Sequence, residues 1–288
     1  MTQTDASLPG AGVTAPGVGD AAVTIELVGT EQEARAAVAV LGRVWSRDDG
    51  TEPLPPELAW AFAHSGNYVA LARNDGEVVG AAIGFRGDDG DGPVLHSHIT
   101  GVVPGCQGLG VGYRLKQHQR SWALAEGLAR VTWTFDPLVA RNGYFNVVKL
   151  GAQLTHYYVD FYGPMDDGIN NGDETDRCLV TWRIDSPRAT AAAAGVFTSS
   201  DVDAARARGG VEVLRRDSGG GPDVRLQETS LRLVQVPTDV VDLRHRDPGL
   251  AVAWRIALRE VLVAAFADGL EVVGVGRDGW YVLERGVA

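Results

Sequence analysis

Three groups of residues in this sequence have types and spacings that could do chemistry. The first is a glycine run. The segment ITGVVPGCQGLGVGYRLKQHQRSWALAEG, residues 99–127, places five glycines between positions 101 and 112, where a β-rich stretch hands over to a helical pattern. Glycine is entropically costly there, so something should need a bare backbone. A strand, a glycine turn and a helix N-terminus together offer free N–H groups and the positive end of a helix dipole to an anion. The dipole alone contributes only about 0.3–1 kcal/mol per charge, so several N–H bonds must act together. The second group is His96 and His98 in LHSHIT, on one face of a strand, where a neutral imidazole can take a proton near pH 7. The third is Arg255 and Arg259, one helical turn apart, which could clamp a carboxylate. Asp136, at the end of the alternating strand RVTWTFDPL, could hold a cationic amine or merely terminate the strand.

The elements that must position these groups follow from the pattern around them. After VTIELVG, Thr30 and Glu33 stand at capping-box spacing before Ala34, Val38, Leu41 and Trp45, which predicts a helix with one buried face. LAWAFAHSG predicts a short helix, and Asn74-Asp75-Gly76 a hairpin. PVLHSHITGVV reads as a strand, the glycine segment opens a helix closing at Gly127, and RNGYFNVVKLG reads as a short helix. AQLTHYYVDFYG and CLVTWRI read as paired strands. On the helix after the glycines, His118 shares a stripe with Val111, Leu115 and Trp122 and reads as a packed histidine. A composition shift near residue 186 leads through an Ala-rich linker to a second unit. It has a hairpin in VEVLRRDSGGGPDVRLQE, a strand in SLRLVQVP, a helix capped by Asp247-Pro248, and two strands around Asp278-Gly279. The expected organisation is an N-terminal tail (1–22), a mixed α/β domain (23–185) and a small C-terminal α/β extension (186–288).

Composition narrows the function. The chain of 288 residues is 45% hydrophobic, with a formal net charge of −11. That balance argues against a nucleic-acid backbone as partner. No apolar run is long enough for a membrane span, and no signal peptide is visible, so a cytoplasmic protein is expected. Two cysteines, Cys106 and Cys178, make neither a disulfide framework nor a metal site. Cys106 lacks an acid–base partner nearby in sequence and reads as an incidental thiol.

Of the loops that bind phosphates, a P-loop would need Gly-Lys-Ser/Thr, but Gly110 is followed by Val111-Gly112-Tyr113. The dinucleotide fingerprint fails on spacing, with Tyr113 in the third glycine's place. Gln107-Gly108-Leu109-Gly110-Val111-Gly112, preceded by Val102-Val103-Pro104, instead resembles the Q/R-x-x-G-x-G/A loop and V-x-P of the GNAT superfamily of acyl-CoA-dependent N-acyltransferases, over roughly residues 23–185. The segments LHSHITGV, LKQHQR, WTFDPL, RNGYFN, KLGA and TDRCLVTW further resemble an incompletely characterised bacterial and archaeal group of GNAT acetyltransferases. That group has a C-terminal Trp-Arg-x-x-x-Arg helix, here Trp254, Arg255 and Arg259.

The resemblance implies a GNAT fold with splayed central strands. It implies acetyl-CoA or another acyl-CoA as cofactor, with Val102, Val103 and residues Gln107, Gly108, Leu109, Gly110, Val111 and Gly112 at its pyrophosphate and the oxyanion donor near Val102. It places Asn142 and Asn146 on the pantetheine arm. The superfamily's tyrosine acid, four positions before the glycine of its motif, corresponds to Val147 here, so Tyr144 is the candidate acid and His98 the candidate base. Asp136, Arg255 and Arg259 are the candidate substrate contacts. The expected activity is N-acyl transfer to a small amine such as an amino acid, with a homo-oligomer left open. A non-catalytic acyl-CoA-binding module is the alternative, and a peptide acceptor is less favoured.

Overall fold

The capping box that the sequence predicts is formed. Thr30 Oγ1 accepts from Glu33 N, and Glu33 Oε2 accepts from Thr30 N. This starts α1 (Glu31–Val44), which buries Ala34, Ala37, Val38, Val40 and Leu41. The computed structural model describes residues 23–45, 52–163, 173–199 and 201–285. The expected N-terminal tail and residues 46–51 of the following loop lie outside them.

β1 (Thr24–Leu27) precedes α1, and α2 (Pro56–His64) follows it. β2 (Tyr68–Asn74) and β3 (Glu77–Asp88) pair through Asp75 (φ 51°) and Gly76 (φ 84°), a two-residue hairpin turn with both central residues at positive φ. β4 (Pro93–Val102), α3 (Val111–Ala125), β5 (Arg130–Phe135) and α4 (Ala140–Tyr144) come next. A single π-helical turn, Phe145–Lys149, continues α4 and leads to β6 (Gln153–Tyr158) and β7 (Arg177–Arg183). These strands form one seven-stranded mixed sheet in the order β1-β2-β3-β4-β5-β7-β6.

Two irregularities in that sheet create space. β4 and β5 are parallel but pair only at Leu95↔Val131 and His96↔Thr132, and beyond those residues they part. On the other edge of β4 the register shifts from Ile83↔Ile99 to Phe85↔His96, so Ser97 and His98 stand together against Gly84. Such a bulge re-aims side chains locally. It falls where β4 leaves β5.

The second unit follows α5 (Pro187–Ala193) and α6 (Val202–Ala207), both within the segment read as a linker. β8 (Val211–Arg216), β9 (Pro222–Val224), β10 (Leu231–Gln235), α7 (Val240–Arg246), α8 (Pro248–Ala267), β11 (Leu270–Val275) and β12 (Trp280–Arg285) complete the described chain. Its five strands run β11-β12-β10-β8-β9. Sequence reading passes over α7, a seven-residue helix that Asp239 caps by accepting from Asp242 N.

This unit has a small buried cluster of its own, formed by Val202, Ala205, Leu231, Leu233, Trp280 and Val282, and shares the main core with the first sheet. Val213, Leu214, Val234, Trp254, Leu258 and Tyr281 join the same buried cluster as Val131, Leu138, Leu154 and Val180 of the first sheet. Tyr281 Oη donates to Pro137 O at 2.8 Å. A Cβ on Gly143 would come within 2.3 Å of that hydroxyl oxygen, so this position of α4 must be bare for the two units to meet.

Candidate active site

The glycine segment forms an open cradle. Gly105 (φ 91°), Gly108 (φ 87°) and Gly110 (φ 77°) all hold left-handed backbone, which L side chains adopt at a cost. Among the described residues nothing lies within 4 Å of where their Cβ atoms would stand. Packing therefore does not demand these glycines, whereas a ligand approaching the backbone would. Gly110 is the N-cap of α3 and supplies no capping side chain, so the first N–H groups of the helix face outward.

A groove of about 800 Å³ leads from this cradle. Val102, Cys106, Gln107 and Gly112 form one wall, and Arg141, Asn142, Phe145 and Lys149 the other. Phe197, from the segment after α5, lies against it. Its ring stands 3.6 Å from Lys149 Nζ and edge-on to Tyr113. In a chain of net charge −11, Arg141 and Lys149 beside free helix N–H groups suit a phosphorylated ligand.

The groove opens into an inner cavity of about 250 Å³ where β4 and β5 separate. Trp45, Thr100, Gly112, Asn142 and Phe145 line both spaces, which are therefore continuous. Trp45 Nε1 and Thr100 Oγ1 are buried without a hydrogen-bond partner among the described residues. Asn142 and the buried Asn146 also reach the cavity. These atoms are what the amides of a pantetheine arm would meet, so the residues present fit coenzyme A.

The sequence-predicted residues divide on this geometry. His98 lines the cavity, and its crowded surroundings, the Phe85 ring among them, lower its proton affinity. His96 does not line it. Its Nδ1 lies 3.3 Å from Thr132 Oγ1, and burial, then the nearby charges of His98 and Lys116, pull its pKa down to about 4. His118 pairs with Tyr68 Oη at 2.9 Å, in keeping with a packed histidine. Two residues of the expected cofactor set turn elsewhere. Val103 N is already spent on Val79 O, and Leu109 is exposed outside the groove.

Three expectations need correction. Tyr144 lines neither space, because its ring is covered by the Arg277 guanidinium at 4.9 Å. Val147, in the superfamily's tyrosine slot, is fully buried. Neither supplies an acid to the cavity. Asp136 reaches the cavity wall but is not held open for an amine. Arg255 Nη1 and Nη2 bind its two oxygens at 2.7 and 2.8 Å, and Arg244 Nη2 adds a bond at 2.6 Å. Burial opposes ionisation, yet the two guanidiniums hold the carboxyl well below the usual range.

Arg255 and Arg259 are likewise already engaged. Arg255 also binds Asp173 at 2.9 Å, and Arg259 binds Asp176 and Glu174. They clamp carboxylates of this chain, across the two sheets. The guanidinium that does line the cavity is Arg177 on β7. Its one hydrogen bond among the described residues is to Asp176 O, and it stacks over Tyr162 at 5.4 Å. Sequence reading missed Arg177, and also Lys116, whose only prior signal is that the chain has just two lysines.

Residues 36–145 match the model of the acetyltransferase (GNAT) family. The matched segment runs from α1 through α4 and includes the glycine cradle. No curated protein matches the sequence. Similar solved structures include the ribosomal-protein-S18-alanine N-acetyltransferase of Escherichia coli (17% identity, TM-score 0.47, 57% of this chain and 95% of that one). Another is an acetyltransferase of the GNAT family from Streptococcus pneumoniae (18%, TM-score 0.44, 55% and 97%). A third is yncA of Salmonella typhimurium with its cofactor acetyl-CoA (20%, TM-score 0.44, 57% and 95%).

Proposed function

We propose that the chain transfers acetyl, or another short acyl group, from its coenzyme A thioester to the amine of a small molecule bearing a carboxylate, an amino acid being the favoured class. The observation that carries this reading is the cavity beyond the groove, whose wall holds the proton acceptor His98 and the guanidinium of Arg177. When bound, the acyl-CoA supplies a thioester activated for attack by an amine. The free N–H groups of residues 108–112 hold its pyrophosphate, Arg141 and Lys149 add positive charge, and Asn142 and Asn146 orient the arm. His98, neutral at pH 7 because its surroundings disfavour the imidazolium, takes the proton of the acceptor amine. Arg177 binds the acceptor's carboxylate through its unspent donors. This replaces Arg255 and Arg259 in the recognition expected from sequence.

Thiol release on incubation with acetyl-CoA and a panel of amino acids, their amides and the corresponding decarboxylated amines tests the proposal. Release with the acids, and weaker release with amides and amines, is the expected outcome. Binding of acetyl-CoA without thiol release from any small amine would contradict it and favour an acyl-CoA-binding module or a peptide acceptor.

A further inference from the structure

Lys116 has no part in the mechanism above, yet it lies inside the cavity. It stands on α3 one turn after Gly112 and is buried. Its Nζ donates to Ser97 Oγ at 2.8 Å and to Gln119 Oε1 at 3.1 Å, and faces the Trp133 ring at 3.8 Å from its centre. Two oxygen acceptors and one π face match the three donors of an ammonium. Among the described residues no carboxylate pairs with it. The other ionisable groups at this site are His96 and His98 from β4, Arg177 from β7, and Asp136 at the end of β5. The last is already bound by Arg244 of α7 and Arg255 of α8. Burial brings the lysine down to about 7, so it can give up a proton in neutral solution.

We propose that Lys116 is the proton donor to the thiolate that leaves during acyl transfer, the task that neither Val147 nor Tyr144 can perform here. The proposal rests on the acyltransferase reading. Its geometric basis is continuity: Gly112, Asn142 and Phe145 line both groove and cavity, so an arm that follows them ends in the space Lys116 lines. As the acceptor nitrogen bonds to the acyl carbon, the C–S bond breaks and its electron pair goes to sulfur. Lys116 Nζ passes one proton to that sulfur, and the nitrogen loses one proton to His98. Solvent then recharges Lys116 and discharges His98, so amine and thioester become amide and thiol with no net proton change.

The test reads the thiol of coenzyme A itself, bound to the full chain, by thiolate absorbance against pH, with calorimetry recording binding. An ammonium beside the sulfur should increase the thiolate fraction at a given pH about tenfold over free coenzyme A, a shift of about one pKa unit. Lys116→Met should still bind coenzyme A, lose that shift, and lose about a hundredfold in kcat together with the alkaline limb of its pH profile. With only two lysines in the chain, carbon-13 lysine labelling also resolves the Lys116 titration in the unmodified protein, and adding coenzyme A should move it. A bound thiol that titrates like free coenzyme A, an unmoved lysine titration, or a Lys116→Met variant with unchanged kcat and pH profile would each overturn the proposal. Failure of the unmodified chain to bind coenzyme A would instead overturn the acyltransferase reading, and this proposal with it.

Discussion

Two cavity side chains give predictions with a definite sign in pH or substrate. In the proposed mechanism His98 acts as a neutral base, and burial lowers its pKa, so kcat/KM should hold below pH 6.5 and fall only as pH drops through that lowered value. In His98→Ala the acidic limb should vanish with a loss of roughly a hundredfold or more, read from kcat/KM profiles. Arg177→Met should cost about ten- to a hundredfold in kcat/KM on carboxylate acceptors and little on their amides, since a charge-assisted contact contributes about 1.5–3 kcal/mol. Equal losses on both would give Arg177 a structural role. Lys116 adds a stability signature. Its folded pKa of about 7 lies below its unfolded value, so the unfolded chain binds the extra proton between about pH 7 and 10, and its contribution to stability should rise across that window. Denaturant melts of Lys116→Met should lack this rise and show a more stable fold at pH 7, by at most about 5 kcal/mol. At this scale the sequence was only partly legible. His98 was a candidate because a strand period sets it beside His96, and the two asparagines were candidates only through the resemblance of their helix; all three line the cavity. Arg177 and Lys116 could not be found, because their roles depend on which neighbours already hold a partner.

Elements meet in this chain through charge as well as apolar packing. α7 and α8 of the second unit bring Arg244 and Arg255 to Asp136 at the end of β5 and to Asp173, all four buried. The i, i+4 arginine pair on α8 was visible in the sequence, but its partners lie more than eighty residues away, and that distance hid its structural use. Removing one member leaves an uncompensated buried charge, so Arg255→Ala should destabilise the fold by about 3–5 kcal/mol in denaturant unfolding. Because the folded pKa of Asp136 is depressed, its contribution is present above its unfolded value near 4 and should be lost as pH falls below that. The π-helical turn after α4 was not legible either. It begins where Gly143 must pass Tyr281 and Tyr144 turns beneath Arg277, so contacts with the second unit govern the segment that carries the superfamily's acid elsewhere. Gly143→Ala should therefore destabilise the chain, most simply seen as a lowered Tm.

Across the whole molecule, the order of elements up to β7 could be read almost entirely from local signals: the capping box, the Asp-Gly hairpin, and the glycine segment between strand and helix. The continuity of the two units could not, since both have their own strands and turns, and only the assembled core shows Val213 and Tyr281 buried with Val131 and Leu138. One cooperative unfolding transition is the expected result. The central claim, that the glycine cradle and the splay of β4 from β5 hold an acyl-CoA, is tested most directly by calorimetric titration of coenzyme A into the unmodified chain and Gly110→Asp. The variant has room in the fold, because no atom of the described residues lies within 4 Å of the new Cβ and aspartate tolerates left-handed backbone better than most residues. Its carboxylate would nonetheless stand where the pyrophosphate must approach. The account predicts binding to the unmodified chain and a loss of about a hundredfold or more, some 2.8 kcal/mol, in a variant with unchanged circular dichroism. Equal affinity in both chains, or no binding to either, would contradict it.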